Sequence, residues 1–253
     1  MKRIFQFISY LIAFVGCTPI DSQTSQVRSS AVLNDIFIFI DKSKSVSYLD
    51  PVVFAKAEEE FRNAMSRAFQ PGDRISIYYI HDNTSGATKD DGFVLPEYDP
   101  PPNPSTIELS NYDQTYQYGV ALGKSRLLGK FTSALKRENH PVAERGTDII
   151  GALDRVSEFC MASSKKYIYL FTDGIQAKNQ YGGQFESIPG ATRQADLDLS
   201  KLAKDYSIDK DKIAGSSAIM VLPYDPFKTS HKKYIDQYWK RFFNGLGVKF
   251  EPK

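Results

Sequence analysis

The sequence predicts an α/β protein with a doubly wound, mostly parallel central sheet and helices on both faces, in three layers. Three observations lead to this fold class. Short, continuous apolar segments such as Ile36–Ile40 have the composition of strands buried on both faces. Segments with apolar residues at helical spacing separate them. The alternation recurs along the chain, as it does in repeated strand–helix–strand units.

The individual elements follow from the same patterns. After Ile36–Ile40, the pair Asp50-Pro51 predicts a helix start with Asp50 as the N-cap. An apolar stripe from Val53 to Ala68 defines that helix, and residues 74–80 form the next predicted strand. The remaining predicted elements are helix 147–161, strand 167–172, helix 198–206, strand 218–222, a helix with an apolar stripe over 234–243, and a short strand 248–250.

The segment from His81 to Arg145 fits this alternation least well. Its proline-rich stretch 99–104 cannot form regular structure. We expect an edge strand around Ser105–Leu109, a helix within Tyr116–Asn139, and loops elsewhere. Because the segment contains no second core, it is interpreted as an insertion in one domain that spans residues 34–253.

Composition excludes several classes of protein. Of 253 residues, 42% are hydrophobic and 25% are charged, which is typical of a soluble globular chain and not of a disordered one. The formal net charge of +2 is too small to indicate a nucleic-acid partner, so none is expected. Two cysteines exclude a disulfide scaffold.

The N-terminus has the pattern of a secretory signal. Lys2 and Arg3 precede an uncharged run, Ile4–Gly16. As a helix this run would measure about 20 Å, whereas the hydrocarbon core of a bilayer is about 30 Å thick. A signal peptide over residues 1–16 is therefore favoured over a transmembrane anchor.

The end of this run, Phe14-Val15-Gly16-Cys17, resembles the lipobox of bacterial lipoproteins, with Phe14 in place of the usual leucine. The resemblance implies cleavage before Cys17 and a lipid on Cys17. Residues 17–33 would be a flexible, lipidated tether to the cell-envelope membrane, with the domain periplasmic or surface-exposed. The alternative is an ordinary signal peptide in which Cys17 is incidental.

Oxygen-bearing side chains follow two of the predicted core strands. Asp41 ends the first strand and opens the sequence Asp-Lys-Ser-Lys-Ser, which also supplies Ser43 and Ser45; Asp173 follows strand 167–172. Thr147 stands before the helix between them. In open parallel sheets, ligands bind beyond the carboxyl ends of the strands. Carboxylate and hydroxyl oxygens suit Mg²⁺, Mn²⁺ or Ca²⁺ better than Zn²⁺.

These motifs, in this order, resemble the metal-ion-dependent adhesion site (MIDAS) of the von Willebrand factor A family. The resemblance covers about Asp35 to Phe250 and implies that family's Rossmann-like three-layer fold. It implies that Ser43 and Ser45 ligate the cation directly and that Thr147 does so directly or through water. Asp41 and Asp173 would act mainly through bound waters and orient the serines.

The resemblance implies a binding protein and not an enzyme. An open coordination position on the cation would accept an acidic side chain of a protein partner. Two alternatives remain open: a Mg²⁺-dependent hydrolase of the phosphatase type, and a scaffold in which the cation is only structural. Simpler interpretations are that Asp41 is a turn residue, that Asp173 belongs to a tight turn, and that Asp148 is a helix cap.

Two further features bear on the binding face. Lys42 and Lys44 alternate with the serines, so we expect their side chains to point away from the oxygen ligands. Their positive charge beside the loop is expected either to weaken cation binding or to help attract acidic partners. The loop-like stretch Gln176–Pro189 follows Asp173 and is expected to surround the cation as a specificity loop.

Overall fold

A computed structural model describes residues 33–43, 45–138, 146–177, 181–182, 185–221 and 231–253. The chain divides into two units, Met1–Ala31 and Val32–Lys253. The first unit lies outside the described residues, and so do the predicted signal peptide, Cys17 and all of the tether except Leu33. Within the described ranges, no helix combines the length and apolarity needed to cross a bilayer.

The described residues form a six-stranded sheet with the strand order β3-β2-β1-β4-β5-β6. The strands are β1 (Asn34–Asp41), β2 (Arg74–Ile80), β3 (Asp91–Val94), β4 (Lys165–Phe171), β5 (Ser217–Val221) and β6 (Lys249–Pro252). All neighbouring pairs are parallel except β2 and β3, which are antiparallel. This arrangement confirms the predicted mostly parallel sheet.

Helices cover both faces of the sheet. They are α1 (Pro51–Arg67), α2 (Thr106–Lys136), α3 (Ile150–Phe159), α4 (Ile188–Asp205), α5 (Lys210–Ile213) and α6 (Lys232–Gly245). Alternate side chains of β1 belong to two core clusters: Phe37 and Phe39 pack with α3, α4 and α6, whereas Ile38 and its apolar neighbours pack with α1 and α2. A strand buried on both faces explains the unbroken apolar run and confirms the three-layer fold class.

Within the 81–145 segment, the edge strand was predicted at the wrong place, and a stretch expected to be loop contains the strand β3. Residues 105–109 do not form an edge strand; they begin the 31-residue helix α2. Ser105 and Glu108 form a capping box, in which the Ser105 hydroxyl accepts the Glu108 N–H and the Glu108 carboxylate accepts the Ser105 N–H. The edge strand is instead the short β3, which pairs with β2. Residues 139–145 lie outside the described part.

Candidate metal centre

Asp41 and Asp173 meet because two neighbouring strands end side by side. The parallel register of β1 and β4 pairs Ile40 with Phe171. The Thr172 hydroxyl donates a 2.5 Å hydrogen bond to Oδ2 of Asp41. Asp173 follows directly, so both carboxylates lie at the carboxyl edge of the sheet, where open α/β proteins bind ligands.

The loop after β1 adds two hydroxyls to the carboxylates. The Ser43 N–H donates to Oδ1 of Asp41 at 2.8 Å, which turns the chain back over the strand end. The Ser43 and Ser45 Oγ atoms lie 3.0 Å apart. Ser45 also lies near Asp173 and lowers the pKa of that carboxyl, against the larger effect of burial. Four of the five predicted residues therefore form one connected cluster.

Thr147 is connected to this cluster through its main chain. Its carbonyl accepts the N–H of Ala177 at 2.9 Å, four residues after Asp173. Thr147 is buried, and it stands three residues before the first residue of α3. Within the described residues, its hydroxyl makes no hydrogen bond to the other four side chains.

Gln176 is a positioning residue that the motif analysis did not identify. Its Oε1 accepts the N–H groups of Ile149 and Ile150, at 2.6 and 3.2 Å, at the start of α3. The Asp173 loop is thereby attached to the segment that carries Thr147. No spacing pattern connects residue 176 to residues 149 and 150. The only sequence signal that Gln176 contributes to the site was therefore its place in the loop-like stretch after Asp173.

The Asp148 side chain bonds to the first turn of α3, although the N-cap position itself is Ile149. The Asp148 carboxylate accepts the Gly151 N–H at 3.0 Å, and the Tyr206 hydroxyl donates to the same oxygen at 2.6 Å. The other oxygen accepts the Thr84 N–H. These bonds hold the first turn of α3 in place, and with it the position of Thr147, the residue before Asp148.

Burial makes the two carboxylates electrostatically costly. Asp41 is 0% exposed and Asp173 is 7% exposed. Burial and, to a smaller extent, the nearby charge of Asp173 raise the pKa of Asp41 to about 6, although hydrogen bonds from Thr172 and Ser43 act in the opposite direction. Burial also raises the pKa of Asp173. Among the described residues, no lysine or arginine forms an ion pair with either carboxylate.

Lys42 does not supply the missing positive charge. Its Nζ donates to the carbonyls of Leu135 and Arg137, at 2.9 and 2.7 Å, at the C-terminal end of α2. Burial and the nearby Arg137 charge lower the pKa of Lys42 to about 8. The expectation that this side chain points away from the serines is confirmed; Lys44 lies outside the described residues.

The donor set fits a hard divalent cation. It consists of carboxylate and hydroxyl oxygens, without sulfur or imidazole. In the part of the chain that the structure describes, no three side chains of His, Cys, Asp or Glu gather into a metal cluster. Any cation at this position would therefore depend on the serine and threonine hydroxyls as well as on the two carboxylates.

Comparisons with known proteins give structural likeness without a family assignment. No protein-family model matches the chain, and no curated protein matches it. Solved structures that match include proximal thread matrix protein 1 from the mussel byssus with a zinc-occupied MIDAS motif, at 16% identity and a TM-score of 0.39. A von Willebrand factor type A structure from Catenulispora acidiphila matches at 13% and 0.39, and the manganese-loaded TRAP protein of Plasmodium vivax at 13% and 0.35.

These matches cover 86 to 87% of the present chain. The chain spans 41% of the mussel protein, 38% of the Catenulispora protein and 69% of the Plasmodium protein. Because all three identities are below 25% and all three TM-scores are below 0.5, they assign no function to this chain. The fold class rests on the strand order and layers described above.

Proposed function

We propose that this chain binds a divalent cation through Asp41, Ser43, Ser45, Thr147 and Asp173, and thereby binds a protein partner. Mg²⁺ is the proposed cation, with Mn²⁺ and Ca²⁺ as alternatives. One observation carries the proposal: two buried carboxylates lie beside a pair of hydroxyls 3.0 Å apart, and no described lysine or arginine is paired with them. A bound cation would neutralise that charge.

The hydrogen bonds of Asp41 support different roles for the carboxylate and for the serine hydroxyls. Both oxygens of Asp41 are already engaged, one by the Ser43 N–H and the other by Thr172. Asp41 is thus suited to orient the loop, while the hydroxyls of Ser43 and Ser45 are suited to hold the cation. The cation would supply an open coordination position for a partner's acidic side chain. Binding of this kind breaks no covalent bond, so the proposed role is non-enzymatic.

Calorimetric titration of the full chain, kept in mild detergent, with Mg²⁺, Mn²⁺ and Ca²⁺ tests the cation site. We expect saturable binding that Asp41→Ala abolishes. Asp50→Ala is the matched control, since Asp50 is an exposed carboxylate that caps α1 outside the cluster. Unchanged cation affinity in Asp41→Ala would show that the site is wrongly assigned.

Partner binding separates the main proposal from its two alternatives. A pull-down with the full chain should lose its partner when a chelator is added. If the cation were only structural, the chelator would lower the melting temperature and leave the partner bound. If the chain were a hydrolase of the phosphatase type, it would turn over generic phosphate esters with Mg²⁺, and Asp41→Asn would remove that turnover.

We also propose that Cys17 carries a lipid that anchors the chain to the bacterial cell envelope. The support is the sequence around Phe14–Cys17 alone. Expression in a bacterial host supplied with an alkyne-labelled fatty acid tests this. Cys17→Ala should abolish labelling and Cys160→Ala, which removes the other cysteine, should retain it; labelling that survives Cys17→Ala would refute the anchor.

A further inference from the structure

Lys42 is a buried lysine within the cation loop, between Asp41 and Ser43. It is only 3% exposed, although a lysine is rarely buried unless its ammonium group is paired. Its main-chain N–H donates to the Ile80 carbonyl at 3.1 Å, which continues the pairing of β1 with β2 beyond the end of β1. The main chain of Lys42 is therefore held by the sheet.

The Lys42 ammonium group caps α2 from the cation loop. Nζ donates to the carbonyls of Leu135 and Arg137, which lie 93 and 95 residues further along the chain, at 2.9 and 2.7 Å. The last four carbonyls of a helix lack partners within the helix, and the C-terminal end of a helix favours a positive charge. This side chain thus joins the loop that carries Ser43 and Ser45 to the end of the insertion helix.

Two tyrosine rings lie against the same ammonium group. Nζ is 5.4 Å from the centroid of the Tyr48 ring and 5.7 Å from that of the Tyr79 ring, within the range of cation–π contacts. The Tyr48 hydroxyl donates to the Phe171 carbonyl at 2.8 Å. Because Phe171 stands two residues before Asp173, the contacts of Lys42 extend to the strand that delivers the second carboxylate.

α2 also supports that strand directly. The ring of Phe131, in the C-terminal half of α2, lies 4.8 Å from the Phe171 ring, centroid to centroid. The same ring stacks on Phe61 of α1 at 3.9 Å, and all three rings are buried. The C-terminal half of α2 is therefore fixed in the core next to the strand that leads to Asp173.

The loop after Asp173 forms the other flank of the cation cluster. Within the stretch Gln176–Pro189, which was predicted as a loop, residues 178–180 and 183–184 lie outside the described part. Its last two residues belong to α4, which begins at Ile188. By contrast, all the partners of Lys42 named above belong to the described residues.

We propose that Lys42 is a positioning residue for cation binding, through which the C-terminal end of α2 sets the geometry of the Ser43 and Ser45 hydroxyls. The inference rests on the proposed cation site. The next residue, Ser43, bonds to Asp41 through its N–H, and its Oγ lies 3.0 Å from that of Ser45. Groups that orient metal ligands without touching the metal contribute to its affinity. A positive charge beside the site opposes cation binding, and the positioning role offsets that cost.

Lys42→Met tests the proposal, because methionine keeps an unbranched side chain and removes the ammonium group. The full chain, kept in mild detergent, is titrated with Mg²⁺ in a calorimeter at a temperature where its melting curve shows it to be folded. We expect the affinity for Mg²⁺ to fall about tenfold or more. Loss of a positive charge would by itself raise that affinity, so the sign of the change separates positioning from simple repulsion.

Lys166→Met is the matched control. Lys166 is also buried, at 8% exposed, and its Nζ donates to the carbonyls of Ala162 and Ser164 at 3.5 and 3.0 Å. It is the second residue of β4 and so lies at the opposite edge of the sheet from the cation cluster. We expect Lys166→Met to lower the melting temperature and to leave the affinity for Mg²⁺ unchanged.

A measurement on the native chain covers the case in which Lys42→Met does not fold. Mg²⁺ is added to the ¹⁵N-labelled full chain, and the amide resonances of Lys136 and Glu138 are followed. Each of these nitrogens is bonded to a carbonyl carbon whose oxygen accepts the Lys42 ammonium group. We expect both resonances to shift as Mg²⁺ binds, while that of Ser110, near the exposed start of α2, stays in place. If Lys42 only caps α2, neither should shift, and the positioning role is overturned.

The outcomes separate the two proposals. Absence of Mg²⁺ binding to the native chain would overturn the proposed cation site, and the positioning role with it. If the native chain binds Mg²⁺ and Lys42→Met binds it equally or more tightly, only the positioning role is overturned. An equal loss of affinity in Lys42→Met and Lys166→Met would also overturn that role, because the loss would then follow from general destabilisation.

Discussion

Replacing Asp41 by Asn should stabilise the cation-free protein and at the same time remove its stabilisation by divalent cations. The amide has nearly the same shape as the carboxylate. The carbonyl oxygen of the asparagine can still accept the Ser43 N–H. Its NH₂ group can donate to the Thr172 hydroxyl, which reverses the direction of the hydrogen bond that Thr172 donates to Asp41 in the native chain. The substitution therefore removes the buried charge and leaves the packing in place.

The expected gain follows from the pKa of Asp41. A rise from 3.8 to about 6 corresponds to about 3 kcal/mol at pH values well above both, since one pKa unit is about 1.4 kcal/mol. The folded state holds its proton more tightly than the unfolded state. Stability is therefore highest below about pH 4 for this group and falls as the pH rises to about 6. Above that, the penalty is constant, and Asp41→Asn avoids it.

Denaturant unfolding of the full chain in excess chelator, at about pH 5 and about pH 7.5, measures this effect. As the pH rises from the lower to the higher value, the unfolding free energy of the native chain should fall, and that of Asp41→Asn should fall less. At the higher pH the variant should be more stable than the native chain by up to about 3 kcal/mol. With Mg²⁺ at about 100 times its Kd, the native chain should gain about 2.7 kcal/mol and the variant nothing. Asp50→Asn, at the exposed cap of α1, should keep the Mg²⁺ effect.

Two results would refute this reasoning. If cation-free Asp41→Asn is no more stable than the native chain at the higher pH, the carboxylate is not a buried, uncompensated charge. If Mg²⁺ stabilises the variant as strongly as the native chain, Asp41 does not belong to a cation site. A variant that is destabilised equally at both pH values would indicate lost hydrogen bonds and not a relieved charge.

Three further predictions follow from the same geometry. Ser45→Ala should weaken Mg²⁺ binding about tenfold or more in calorimetry, with little change in cation-free stability, because its hydroxyl meets Ser43 and Asp173. Gln176→Ala should lower the unfolding free energy by about 1 to 2 kcal/mol, since it uncaps α3, and should also weaken Mg²⁺ binding; unchanged affinity would exclude it as a positioning residue. Gly174→Ala should lower the unfolding free energy by about 2 kcal/mol or more, because φ is positive there and the added Cβ would meet Ile235. In the same denaturant assay, Gly129→Ala should raise the unfolding free energy by about 0.5 to 1 kcal/mol, since residue 129 is an exposed helical site with open space around it.

The core elements could be predicted because their signals are local. The apolar run that becomes β1 is continuous because its two faces enter different core clusters. The start of α1 was marked by Asp50, whose side chain accepts the N–H groups of Val52 and Val53 as an N-cap should. In both cases, residues close in sequence determine the structure.

The insertion was harder to predict because its strand is short and is defined by its pairing and not by its own sequence. β3 has four residues, and only its pairing with β2 defines it. The error at 105–109 had a different cause, because the signal there is local: Ser105 and Glu108 have the spacing of a capping box. That box was present in the sequence and marks a helix start.

The motif placed Asp41, Ser43 and Ser45 on one loop, and the parallel register brings Asp173 to them. What the sequence could not show is how Thr147 is held. That depends on Gln176, whose partners lie 26 and 27 residues earlier in the chain and follow no periodic pattern.

The contrast with other buried carboxylates is the strongest structural argument that Asp41 and Asp173 serve binding. Asp35 is also buried, at the opposite end of β1, but it is paired with the Arg74 guanidinium at 2.5 Å. Buried Asp198 is paired with a lysine ammonium at 3.0 Å. Buried Asp73 instead accepts hydrogen bonds from Asn34 and Gln70. Each of these carboxylates is compensated singly, whereas at the carboxyl edge of the sheet two buried carboxylates lie together with hydroxyls. A site that lowers cation-free stability in this way is expected where function, and not packing, determines the residues.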